Sequence, residues 1–319
     1  MSIYEQPVAQ AAAQAKAPAR TKKLSPHPRP SFKETWWRHL VAWLAIVVSL
    51  FPIAYIVSAA FSADASLTGS SLIPQHVTLV NFTHLFHGSK AVSEQIFSSV
   101  HYWRWYLNTV IVATATALLT VMLGALAAYA FSRFRFRGRR MGMLFLLLVQ
   151  MFPQPLAVTA IYLIVLRVGD VFSVIGLNTL LGLIMVYLGG ALGVNTWLLK
   201  GFFDTIPSEL DESARVDGAT PGQVFWGVVL PLAAPVLIVV GLFSFVATIN
   251  EFLIASVLLV TPGHFTLPLG LRQFIDQQYA EHWGPFAAGV LLAAIPVVII
   301  FQFLQRYIVA GLTQGSVKG

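Results

Sequence analysis

Six long apolar stretches separated by shorter polar ones organise this chain. They lie near residues 40–61, 106–131, 143–166, 177–199, 227–250 and 286–308. A helix crosses the hydrocarbon core of a bilayer with roughly 20 such residues, and each stretch meets that length. Strands of a membrane barrel would be shorter and would alternate apolar with polar positions. Helices also satisfy their own backbone hydrogen bonds in lipid. The pattern predicts an all-α membrane protein: a polytopic bundle of six transmembrane helices, one domain over residues 36–319. Residues 1–35 are rich in Ala, Gln, Pro and Lys and lack apolar periodicity, so they read as a disordered cytoplasmic tail.

Composition agrees. The chain is 57% hydrophobic and 10% charged, with a mean hydropathy of +0.74, too apolar for a water-soluble domain of 319 residues. The net charge of +7 could point to nucleic acid, but its distribution points to topology. The N-terminal tail carries Lys16, Arg20, Lys22, Lys23, Arg29, Lys33 and Arg38, and the second loop carries Arg133, Arg135, Arg137, Arg139 and Arg140. With Lys200, Arg215, Arg306 and Lys318 these make 16 of the 20 Lys and Arg, leaving Lys90, Arg104, Arg167 and Arg272 to the alternate loops. By the positive-inside rule, both termini and the second and fourth loops face the cytoplasm. There is no cysteine, which removes disulfides, thiolate metal sites and cysteine nucleophiles. Ser58-Ala59-Ala60 and Ala63-Asp64-Ala65 imitate a signal-peptidase site. The preceding apolar core is too long, and too far from the N-terminus, for a cleaved signal, so an uncleaved helix is expected.

The largest outer loop, residues 62–104, carries an amphipathic patch at Phe82, Leu85, Phe86 and Phe97, then the run Tyr102-Trp103-Arg104-Trp105-Tyr106. That run suits an aromatic belt at the membrane boundary. The third outer loop, residues 261–284, holds Pro262, Gly263, Pro268, Gly270, Arg272, Asp276, Glu281 and His282. It reads equally as a contact for a soluble partner or as an ordinary solvated loop. Polar residues at membrane depth are costly and therefore informative. Gln150 and Gln154 flank Pro153, which marks a kink; the two amides serve either the backbone freed there or a cavity lining. Asn250-Glu251 reads as a pathway pair or as the end of the fifth helix. Gly189, Gly190 and Gly193 suggest close helix packing.

The loop over residues 200–226 is the most specified stretch. Ser208 and Asp211 have capping-box spacing, and Glu209 and Glu212 add negative charge near a helix N-terminus. Leu210, Ser213, Ala214 and Asp217 recur at helical spacing on one face. Gly218 can end the helix with positive φ. Thr220 then caps a second helix, with Pro221 first and Gln223 closing another box; this helix runs through Phe225 and Trp226 into the fifth span as a stiff joint. Small side chains at Ser213 and Ala214 suit a short helix lying in another protein's groove. A helix that lies along the membrane and merely closes the loop fits the spacing equally well.

The segment Glu212-Ser213-Ala214-Arg215-Val216-Asp217-Gly218-Ala219, with Phe225, Leu230-Pro231 and Pro235 beyond it, resembles the EAA motif of binding-protein-dependent ABC importer permeases. Ser213 stands where an alanine is usual. Ala128-Tyr129-Ala130-Phe131-Ser132-Arg133, Gln150-Met151-Phe152-Pro153, Tyr187-Leu188-Gly189-Gly190 and the segment Gln305 to Thr313 extend the resemblance over most of the chain, towards the maltose and maltodextrin branch and its smaller permease subunit. The resemblance implies a type I importer permease fold, with Glu209, Glu212, Ser213, Ala214, Asp217, Gly218 and Ala219 forming a coupling helix seated in a separate ATPase. It also implies that Gln314, Gly315 and Ser316 belong to a tail reaching the ATPase dimer. The implied partners are a second homologous permease, an ATPase subunit dimer, an extracytoplasmic sugar-binding protein and membrane lipid, in a bacterial inner membrane. Gln150, Gln154, Asn250 and Glu251 are the pathway candidates. Trehalose or another oligosaccharide is the alternative cargo, and a secondary carrier acting alone the alternative class.

No Gly-Lys-Ser or Gly-Lys-Thr occurs, so a P-loop is lacking and ATP with its Mg belongs on the partner ATPase. There is no His-Glu-x-x-His and no paired intramembrane aspartate. The sequence therefore reads as a non-catalytic subunit binding no metal or cofactor.

Overall fold

The computed structural model describes residues 32–63, 72–74, 76–87, 101–275 and 282–314. Helices dominate; among the described residues β pairing is limited to an isolated bridge between Ser62 and Val77. Residues 1–51 and 52–319 form two units. The described part of the first is the opening of α1 (Phe32–Phe61). There every side chain from Trp36 to Phe51 is exposed, a surface suited to lipid.

The second unit continues with α2 (Val80–His87), α3 (Tyr102–Arg133), α4 (Arg139–Met151), α5 (Gln154–Val171), α6 (Leu180–Phe203) and α7 (Ser208–Val216). After these come α8 (Pro221–Leu232), α9 (Ala234–Asn250), α10 (Leu253–Leu258), α11 (Leu267–Arg272) and α12 (Trp283–Gln314). Among the described residues four helices are each long and apolar enough to cross a membrane, and two bent pairs, each taken as one span, raise the number to six.

The bends have local causes. The run read as the third span is two helices, α4 and α5, meeting at 104°. Pro153 lacks an N–H, and Phe152 before it is extended, with φ −72° and ψ 124°, as a residue preceding proline prefers. The fifth span was expected to continue straight from the loop helix. Instead α8 meets α9 at 77°. A π-turn over Phe225–Val229 widens α8, and Pro235 cannot donate back to Pro231. The joint is a corner rather than a stiff rod.

The α3 helix is the axis of the bundle. Its buried face carries Ala113, Thr116, Ala117, Thr120, Gly124, Ala125 and Ala128, small residues that let neighbouring helices approach closely. A β-carbon on Gly124 would touch the Leu199 side chain of α6 at 3.4 Å. Two apolar clusters flank this stripe. One gathers Leu85, Trp105, Leu183, Leu258, Phe265 and Phe274; the other gathers Tyr129, Leu199, Phe203, Ile206, Val224 and Phe225.

The outer loops depart from expectation. Tyr102 and Trp105 are buried core residues while Trp103 is exposed, so only part of the aromatic run suits a boundary belt. Phe265, Thr266, Leu267, Leu271 and Phe274 of the third outer loop are buried as well, so this part is neither solvated nor free for a partner. Trp105 Nε1 donates to the Pro262 carbonyl at 2.7 Å, and Asn108 Nδ2 donates to those of Gly263 and Phe265 at 3.1 and 3.0 Å. Phe97, Asp276 and Glu281 lie outside the described residues.

Candidate functional site

Two polar arrangements stand out against the apolar bundle: the α7 corner at one end and a cavity within it. The α7 corner begins where the second and fourth loops meet. Ser132 Oγ donates to Asp204 at 2.7 Å, Arg133 donates to the Ile206 carbonyl at 3.0 Å, and Tyr129 donates to the Pro221 carbonyl at 3.2 Å. The expected capping box at Ser208 and Asp211 does not form. Pro207 occupies the cap position and Ser208 is the first helical residue, with no side-chain cap. Asp211 turns inward and pairs with Arg133, Nε to Oδ2 at 2.8 Å, the two side chains 10% and 4% exposed for arginine and aspartate respectively. The second box does form: Thr220 Oγ1 accepts from Gln223 N, and Gln223 Oε1 accepts from Thr220 N at 2.8 Å.

Gly218 ends α7 with φ +89°, and the Gly218 and Ala219 N–H groups donate to the Arg215 and Ala214 carbonyls at 3.0 and 2.9 Å. That pattern is a Schellman motif, which requires the left-handed residue glycine supplies cheaply. Ala214 and Ala219 pack against the inner cluster, so Ala214 does not share an outward face with Ser213. The exposed side presents Glu209, Leu210, Glu212, Ser213, Val216 and Asp217. Val216 is 87% exposed, an apolar side chain left bare amid carboxylates.

The second arrangement is a cavity of about 330 Å³ bordered by α3, α4, α6 and α9. Thr116, halfway along α3, is 1% exposed, and its hydroxyl has no hydrogen-bond partner among the described residues. Asn195 donates to Ser244 Oγ at 3.3 Å on the same wall. Gln150 holds α4 against α6, donating to the Gly190 carbonyl and accepting from Val194 N, both at 2.9 Å. A β-carbon on Gly193 would fall 2.6 Å from that amide, so close packing does require glycine there, whereas Gly189 has open space. Glu251 also lines the cavity. It accepts from the Tyr187 hydroxyl and from Ile254 N and Ala255 N at 2.7 and 3.2 Å, capping α10.

The four pathway candidates therefore separate. Gln150 and Glu251 share this cavity. Asn250 donates to the Val246 carbonyl at 2.8 Å and borders a different pocket beside Arg272. Gln154 is the first residue of α5, its side chain outside the described structure. Of the tail, Gln314 ends α12, and Gly315 and Ser316 lie outside the described residues. Sequence reasoning missed Asp211 as a buried partner and missed Thr116, Tyr187, Asn195, Ser244 and Thr248. A signal for Thr116 was present, since Thr109, Thr116 and Thr120 recur on one face of an otherwise apolar helix.

The pattern of binding-protein-dependent transport system inner membrane components matches residues 120–314. The galactooligosaccharides transport system permease protein GanQ of Bacillus subtilis is 36% identical over 280 residues, 88% of this chain and 94% of GanQ. The maltose/maltodextrin transport system permease protein MalG of Vibrio vulnificus is 39% identical over 290 residues, 89% and 96% of the two chains. That of Salmonella typhimurium is 40% identical, covering 88% and 95%. A solved bacterial ABC transporter involved in importing the acidic polysaccharide alginate shares the fold at a TM-score of 0.72 and 22% identity, over 89% of this chain and 99% of its own. Six potential crossings, the exposed acidic helix and these relatives place the chain in the family of binding-protein-dependent transport system inner membrane components, the permease subunits of ABC importers.

Proposed function

We propose that this chain is one of two permeases in an ATP-driven oligosaccharide importer of a bacterial inner membrane, with maltodextrins as cargo and both termini cytoplasmic. The observation that carries the reading is the two-sided character of α7. Its inner side is fixed to the bundle through Asp211 and Ala214, while its outer side offers Glu209, Glu212, Ser213 and Asp217 to the surroundings. A short helix held this way suits a groove on a separate ATPase. The chain itself catalyses nothing; ATP and Mg act on the partner, and an extracytoplasmic sugar-binding protein delivers the cargo. The cavity at Thr116 and Glu251 lines this chain's half of the pathway. Its hydroxyls, amides and carboxylate suit sugar hydroxyls, and its position near mid-span suits alternating access.

The cargo follows the relatives. Maltodextrin has the support of the MalG sequences at 39 and 40% identity. Galactooligosaccharide is the second reading, supported by GanQ at 36%. Proteoliposomes carrying the two permeases and two ATPases, with binding protein outside and ATP inside, test the proposal. Maltodextrin uptake that stops without ATP is the expected result. Uptake driven by an ion gradient without ATP would contradict it.

A further inference from the structure

We infer that the buried Arg133–Asp211 ion pair is the strut through which movement of α7 reaches the membrane helices, so that breaking it separates ATP hydrolysis from transport. The inference rests on the coupling role proposed for α7.

The covalent routes from α7 into the bundle are poor levers. On one side the chain leaves through Asp217 and Gly218, the latter at φ +89°, into α8. That helix contains a π-turn and meets α9 at a 77° corner. On the other side it runs through Thr205, Ile206 and Pro207, which are not helical. Of the lateral contacts, Ala214 against its apolar cluster is short and non-directional. The Arg133–Asp211 contact is an ion pair 2.8 Å long and nearly closed to water, so screening weakens it little. Arg133 is fixed in turn, its Nη2 donating to the Ile206 carbonyl at 3.0 Å. It terminates α3, 32 residues without a break, whose mid-point carries Thr116 at the cavity. A displacement of Asp211 is thereby delivered to an unbroken helix that runs from the α7 corner to the cavity.

The test uses the complete reconstituted assembly and reads sugar taken up per ATP hydrolysed, a ratio that a purely structural contact leaves unchanged. Asp211→Asn is expected to lower that ratio about tenfold, in the usual range of coupling energies, with hydrolysis still proceeding. Asp211→Glu, which keeps the charge, should restore most of it. Should Asp211→Asn fail to assemble because it strands Arg133, the apolar pair Arg133→Met with Asp211→Leu removes both charges and leaves neither unpaired; it too should hydrolyse without importing. Wild-type ratios in the variant that assembles, or uptake and hydrolysis falling in step, overturn the strut. A wild-type assembly with no ATP-driven uptake would instead overturn the proposed function.

Discussion

Gly270 of α11 lies flat against the indole of Trp105 in α3: a β-carbon on Gly270 would sit 2.2 Å from ring atoms Cδ2 and Cε3. Trp105 has nowhere to retreat, being fully buried with its Nε1 bonded to Pro262. This contact is one of those that hold a loop of polar and turn-forming residues against the bundle. The backbone of α11 substitutes for a side chain in covering the ring.

Gly270→Ala should therefore destabilise the chain by about 1–3 kcal/mol, the usual cost of overpacking a tight site. Gly222→Ala is the control, since a β-carbon there meets nothing within 4 Å. Thermal unfolding of both in detergent should show a lowered Tm for Gly270→Ala alone. Equal midpoints would contradict the close packing.

At Gly218 the difficulty is conformational rather than steric, because open space surrounds the position. Gly218→Ala should cost about 1 kcal/mol for holding φ +89°. Gly218→Pro cannot adopt that angle and also loses the N–H donated to Arg215. The proline variant should insert at normal levels yet abolish uptake, as read by membrane immunoblot beside transport. Normal uptake by well-expressed Gly218→Pro would refute the role of this turn.

Removing the Glu251 carboxylate should loosen α10. Glu251→Ala deletes the acceptor for Ile254 N and Ala255 N, at about 1 kcal/mol for a lost cap. Hydrogen exchange at those two amides should accelerate. Unchanged protection would mean that α10 is held by packing alone.

Acid should weaken the α7 corner. Burial alone would raise the Asp204 carboxyl, but hydrogen bonds from Lys200 and Ser132 overcome it and hold the group below the usual carboxylate range. A carboxyl depressed in the fold contributes stability fully above its unfolded value of about 4. That contribution is lost as pH falls through the lower folded value. Asp204→Asn should flatten the decline of Tm with acidification; a slope identical to wild type would contradict this.

What the sequence discloses here depends on how local the cause is. The Thr220–Gln223 box and the Gly218 turn were legible because every group involved lies within a few residues. Ser208 and Asp211 have the same spacing as Thr220 and Gln223, yet form no box. Pro207 took the cap position, and Asp211 was claimed by Arg133 from a distant helix, which spacing along the chain cannot disclose. The bend at Pro153 was readable from proline chemistry. The corner between α8 and α9 has a local cause too, at Pro235, but the nearly uniform polarity from Phe225 to Asn250 hides it from hydropathy. The polarity of the third outer loop misled, since its backbone carbonyls bond Trp105 and Asn108 while its apolar side chains join the core.

The account rests above all on α7 being gripped by an ATPase. The natural absence of cysteine makes a single Ser213→Cys variant an unambiguous reporter on its exposed face. In the active reconstituted assembly, a short thiol cross-linker from that position should capture the ATPase subunit, with a yield that changes when ATP is added. Full sugar uptake with no such adduct at Ser213→Cys, or at Glu212→Cys beside it, would contradict the account.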